Sequence, residues 1–158
     1  MIFHASVPAD DPARVAKALA DAMGGYSTAF PNWPGGYIAR SGPTDQNVTW
    51  IEVYPRERPA VPGAGEEMVQ YGHDASPSRY TCFHLAVGTP LSKEQVLAIA
   101  AREGWRAKLM SRKGSFDLIE FWVENSVMIE FLTPEMQATY LARVERHRMG
   151  PAPAAAAS

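Results

Sequence analysis

The chain has 158 residues, enough for one globular domain or two small tandem modules around a buried core. Apolar residues make up 46% and charged residues 20%, with a net charge of −2, which argues against a disordered chain and against a basic surface for a nucleic-acid backbone. The single cysteine, Cys82, excludes an internal disulfide and a cysteine-ligated zinc site. No apolar run approaches the ~18 residues of a membrane span, and Asp10 and Asp11 arrive too early for a secretory leader, so a reduced, cytoplasmic setting with neither nucleic acid nor membrane as partner is expected.

In chain order, a short apolar strand is expected from Ile2 to Val7. A helix follows, with Asp11 as N-cap, Pro12 in its first position and Val15, Leu19 and Ala22 on one face, stopped by Gly24 and Gly25. Strands are then expected at Tyr26 to Phe30, Gly36 to Arg40 and Val48 to Tyr54. Residues 56–80 are rich in proline and glycine and read as a linker or arm, with a short helix near Glu66 to Gln70. A second strand–helix pair comes next. The strand runs from Cys82 to Val87, Ser92 to Gln95 forms a capping box, Val96, Ile99 and Ala100 share a face, and Gly104 ends the helix. Strands at Trp105 to Ser111, Phe116 to Glu124 and Ser126 to Leu132 complete this part. A last helix is expected from Pro134 to Arg148, with Met136, Tyr140 and Val144 on one side. Gly150 to Ser158 reads as a disordered tail.

The chain repeats itself. Phe3-His4-Ala5-Ser6-Val7 is echoed about 80 residues later by Phe83-His84-Leu85-Ala86-Val87. Trp50-Ile51-Glu52-Val53-Tyr54-Pro55 is echoed by Met128-Ile129-Glu130-Phe131-Leu132-Thr133-Pro134 at nearly the same offset. The order is therefore β-α-β-β-β twice, an α+β chain of two tandem modules: 1–55, then the arm 56–80, then 81–134, a C-terminal helix 135–149 and the tail 150–158.

Alternation puts His4 on one face with Ser6, Glu52 with Trp50 and Tyr54, and Glu130 with Met128 and Leu132. Both glutamates sit in otherwise apolar strands, where a lone carboxylate is costly and must neutralise, pair or bind a metal. For any one of these residues a structural role is the simpler reading. Recurrence of both types at matched spacing favours a joint metal site of His4, Glu52, His84 and Glu130, and imidazole with carboxylate suits Zn, Ni, Mn or Fe. Trp50 and Tyr54 flank Glu52 on its own face and are the first candidates for a substrate pocket. His73 and His147 are expected to be exposed. Cys82 shares a face with His84 and reads as a small buried hydrophobe. Arg40, Arg56, Arg58, Arg112 and Lys113 could meet an anionic substrate, although scattered surface charge explains them equally well.

The repeated modules, with Phe-His-x-x-Val on the first strand and Ile-Glu on the last, resemble the vicinal oxygen chelate superfamily, and the His…Glu…His…Glu order resembles glyoxalase I within it. The resemblance implies curved mixed sheets around a central metal or ligand cavity, with His4, Glu52, His84 and Glu130 as ligands. It implies Lewis-acid catalysis, of lyase or isomerase type, on a small molecule with adjacent oxygens. A ligand glutamate would act as general base, Glu130 or Glu52, with Glu130 preferred because its module is more regular. The region Val7 to Arg14 departs from the glutathione clamp of glyoxalase I. An extradiol dioxygenase with Fe(II), for which His73 or Tyr54 would supply a further catalytic group, and a metal-free binding module of the bleomycin resistance type are the alternatives. Open sheet edges favour a homodimer.

Overall fold

The computed structural model describes residues 3–31, 33–46, 48–112 and 114–148. The tail expected to be disordered lies outside them, as does the side chain of His147. The first half holds β1 (His4–Ala9), α1 (Pro12–Ala22), β2 (Tyr26–Ala29), β3 (Tyr37–Arg40) and β4 (Trp50–Pro55). The arm contributes β5 (Ala60–Val61) and β6 (Gln70–Tyr71). The second half holds β7 (His84–Gly88), α2 (Lys93–Glu103), β8 (Ala107–Ser111), β9 (Asp117–Val123) and β10 (Val127–Leu132), and α3 (Pro134–Arg148) follows. The two four-stranded sheets have the orders β1-β4-β3-β2 and β7-β10-β9-β8. In each, the first strand pairs parallel with the last, and the other pairings are antiparallel. The chain is thus α+β, with two mixed sheets that curve without closing.

Local chemistry accounts for the helix ends. The Asp11 side chain accepts from the Arg14 N–H, with Pro12 at the start of α1. Ser92 and Gln95 close a reciprocal capping box on α2, and Gly104, at φ 71°, ends it in the left-handed conformation that a side chain disfavours.

Most strand boundaries shift by one or two residues from the sequence expectation, and three differences have a clear physical cause. β1 starts at His4 and continues to Ala9, because β4 offers it partners as far as Pro55. Pro8 is tolerated there because β1 is an edge strand. β4 starts only at Trp50, since the Asp45 carboxylate takes both the N–H and the hydroxyl of Thr49 into a turn. The arm forms no helix near Glu66. Ala60–Val61 instead pairs antiparallel with Gln70–Tyr71, and Gly63 lies so close to the Met68 carbonyl that a Cβ would stand 2.3 Å from it.

One continuous core joins the halves. α1 is buried on two sides, with Val15 and Leu19 beside alanines 16, 18, 20 and 22, whose small side chains allow close approach. In the second half Phe121 packs edge-on against both Trp105 and Phe131. Ion pairs Arg14–Glu103 at 2.6 Å and Arg102–Asp21 at 2.9 Å tie α1 to α2. Arg56, 6% exposed, bonds Asp10, Glu124 and the Ser126 hydroxyl, linking the end of β4 to the β9–β10 turn. The Glu124 carboxylate also accepts the N–H groups of Asp10 and Asp11. The helix-covered face of each sheet is therefore spent on the shared core, and the opposite face carries the candidate site residues.

Candidate functional site

Strand register places the four candidate residues in two equivalent pairs. In the first sheet His4 aligns with Trp50 and Ser6 with Glu52. In the second His84 aligns with Met128 and Ala86 with Glu130. Each histidine is thus the diagonal neighbour of its glutamate, on the face away from the helix. His4 and His84 are exposed, Glu52 is half-buried, and Glu130 is 8% exposed.

The two glutamates have different company. Glu52 accepts hydrogen bonds from the Ser6 hydroxyl at 3.2 Å and the Tyr54 phenol at 2.9 Å. Burial first, then the bonds to Glu52 and Tyr71, push the Tyr54 phenol well above its ordinary range, so it keeps its proton and donates it. Across the strand from Glu52 stands the apolar Ile38. Glu130 faces Glu120 across the strand, and Arg112 bridges the two carboxylates at 2.5 Å and 2.8 Å. Hydrogen bonds to Glu130 and Glu120 raise the Arg112 pKa further. The costly carboxylate in an apolar strand is therefore met by pairing in the second half and by hydroxyl donors in the first.

Among the described residues no group of three or more His, Cys, Asp or Glu side chains could hold a metal ion. The faces carrying His4–Glu52 and His84–Glu130 are the ones the shared core leaves out. Each face pairs one imidazole with its diagonal glutamate, half of a four-donor set, and the second face carries Glu120 as well. On chemistry alone that set fits a divalent ion where two such faces meet, with the Glu130–Arg112 pair opposing it.

The expected pocket residues separate. Trp50 is 37% exposed and lies under the Arg40 guanidinium, 4.6 Å from its ring centre. Arg40 also bonds the Thr28 hydroxyl and stacks over Tyr26. Tyr54 belongs to an aromatic cluster with Phe30, Trp33 and Tyr71 and borders a cavity of about 370 Å³. Arg56 and Arg112 are engaged in ion pairs, Arg58 stacks over Trp33, and His73 is exposed on the arm. Cys82, expected to be buried, is exposed, since it precedes β7 and is not covered by the sheet. Ser6, Glu120 and Tyr71 were not foreseen as partners of the site. Alternation from His4 was the available signal for Ser6, whereas nothing local marks Tyr71.

No protein-family model and no curated protein matches the chain. Its backbone is similar to solved structures. One is the hypothetical protein SA1046 from S. aureus (TM-score 0.52, 12% identity, covering 84% of this chain and 96% of that one). Another is an integron cassette protein from the mobile metagenome of V. cholerae (TM-score 0.50, 12% identity, 85% and 94%). A third is the trypanothione-dependent glyoxalase I of Leishmania major (TM-score 0.48, 16% identity, 96% and 99%). At these identities the likeness is one of fold alone.

Proposed function

From the resemblance of the repeated modules to the vicinal oxygen chelate superfamily and from the two His–Glu pairs, we propose a metal-dependent, glyoxalase-like enzyme acting on a small molecule with adjacent oxygens. Its site is completed when the His4–Glu52 face of one chain meets the His84–Glu130 face of a second. The observation that carries this reading is the equivalent register. In both sheets the glutamate lies two positions past the residue aligned with the histidine, on an open face. Exposed apolar side chains flank the start of each pair. Phe3 is 75% exposed before β1, with Phe83 and Tyr80 exposed before β7, as a face awaiting a partner requires.

A divalent ion held by His4, Glu52, His84 and Glu130 would supply Lewis-acid stabilisation of negative charge on the substrate oxygens. The chain's own groups divide the remaining work. Of the two glutamates Glu52 is assigned the general-base role, because the Ser6 and Tyr54 hydroxyls orient it, whereas Arg112 engages Glu130. This reverses the preference for Glu130 drawn from sequence regularity. Tyr54, protonated, fixes the direction in which the Glu52 carboxylate points.

The test is complementation. A chain carrying His4→Ala and Glu52→Gln is mixed with one carrying His84→Ala and Glu130→Gln, and metal content is read by plasma mass spectrometry. A site shared between chains regains metal in the mixed dimer, whereas neither variant holds it alone. A site within one chain regains nothing, and that result would falsify the shared arrangement. The second reading, a metal-free small-molecule-binding module, is favoured by the Arg112–Glu130 ion pair. It is identified by wild-type protein that stays metal-free after reloading with Zn, Ni, Mn and Fe(II).

A further inference from the structure

The arm between the halves closes a second feature beside Glu52. A cavity of about 370 Å³ lies on the open side of β1 and β4, between Ser6 and Tyr54 on the sheet and Pro59, Ala60 and Tyr71 on the arm. The rings of Tyr54 and Tyr71 are nearly parallel, 5.6 Å apart with 29° between their planes, and Phe30 and Trp33 back Tyr54. Pro8, Pro55 and Pro77 contribute to the remaining wall. Its charges balance, for Arg58 and Asp74 carry opposite signs and Arg56 is engaged by Asp10 and Glu124. A cavity with aromatic and proline walls, no net charge and a few hydroxyls suits an uncharged ring.

The same cavity is coupled to the candidate site. Ser6 and Tyr54, which border it, are the two groups that hold the Glu52 carboxylate. A ring seated against Tyr54 and Tyr71 leaves its substituents beside Glu52. We propose that this cavity is a substrate subsite for an uncharged aromatic ring, so that the substrate carries such a ring next to its reacting oxygens, and that the arm 56–80 sets this specificity. The substrate assignment rests on the function proposed above, but binding at the cavity does not.

The probe is p-cresol, with glycerol as polar comparator, titrated by calorimetry and saturation-transfer NMR in the presence of chelator. Wild-type protein is expected to bind p-cresol at least about tenfold more tightly than glycerol. Ala60→Trp, which fills the cavity from the arm, and Tyr71→Ala, which removes one ring wall, should each weaken p-cresol by about tenfold. Leu109→Ala, at a different cavity, should change nothing. Circular dichroism checks that each variant is folded, and either of the two cavity variants suffices if the other is not. Absence of saturable p-cresol binding, equal affinity for glycerol, or unchanged affinity in a folded cavity variant overturns the proposal. Because chelator is present, p-cresol binding in a protein that never holds metal keeps the subsite while removing the enzyme reading. Metal uptake without p-cresol binding does the reverse.

Discussion

The two sheets have the same strand order and the same His–Glu diagonal, yet they treat the glutamate in opposite ways. In the first sheet Glu52 stands opposite Ile38 and is held by two neutral hydroxyls. In the second Glu130 stands opposite a further carboxylate, Glu120, and one guanidinium bridges the two. Backbone repetition therefore fixes where the carboxylate sits but not how available it is. A neutral donor yields to an arriving cation at modest cost, whereas the Arg112 pair must first be broken and leaves two like charges side by side. The first face is open to a ligand, and the second is guarded by its own cation.

The largest expected effect comes from separating the halves. Arg56→Met leaves Glu124 without its buried cation and should cost about 3–5 kcal/mol, read by urea denaturation. Since one core spans both halves, wild type should unfold in a single transition, and two transitions in wild type would contradict that reading. Next, Arg112→Met should cost about 1–3 kcal/mol, discounted because the Arg112 side chain is partly exposed. The same change should raise uptake of Zn, measured by equilibrium dialysis, since it makes the second face resemble the first. Unchanged uptake would show that Arg112 is no barrier.

Tyr54→Phe removes one of the two donors to Glu52 and should cost about 0.5–1.5 kcal/mol, with Ser6 still in place. The smallest effect is one of pH. Burial pushes the carboxyls of Asp10 and Glu103 up, but Arg56 and Arg79 at Asp10, and Arg14 and Arg102 at Glu103, outweigh it and hold both below the ordinary range. The unfolded chain then takes up these protons first as pH falls. Their contribution to stability is intact above about pH 4 and is lost below it, as pH descends through the folded-state values. The double variant Asp10→Asn with Glu103→Gln should flatten the fall in melting temperature between about pH 4 and pH 2. An unaltered slope would assign it to other carboxylates.

Much of the framework was legible because its causes are local. The Asp11 cap and the Ser92–Gln95 box act within one helical turn, and the alternation that puts His4, Glu52 and Glu130 away from the helix acts within one strand. The arm was misread near Glu66, because pairing of Ala60–Val61 with Gln70–Tyr71 decided its conformation over local propensity. The environment of the candidate residues was legible only where alternation reaches, as for Ser6 beside His4 and Tyr54 beside Glu52. Arg112 reaches Glu130 from beyond the end of β8, and Tyr71 comes to Tyr54 across a turn of the arm. By itself the sequence determined the element order of the two modules, the repeat and the face on which each His and Glu stands, since periodicity and capping are short-range. Only the tertiary structure decided which group holds each carboxylate and that the helix-bearing sides, not the site-bearing faces, join the halves. The reason is that burying α1 and α2 in a common core leaves the opposite faces of both sheets outside it.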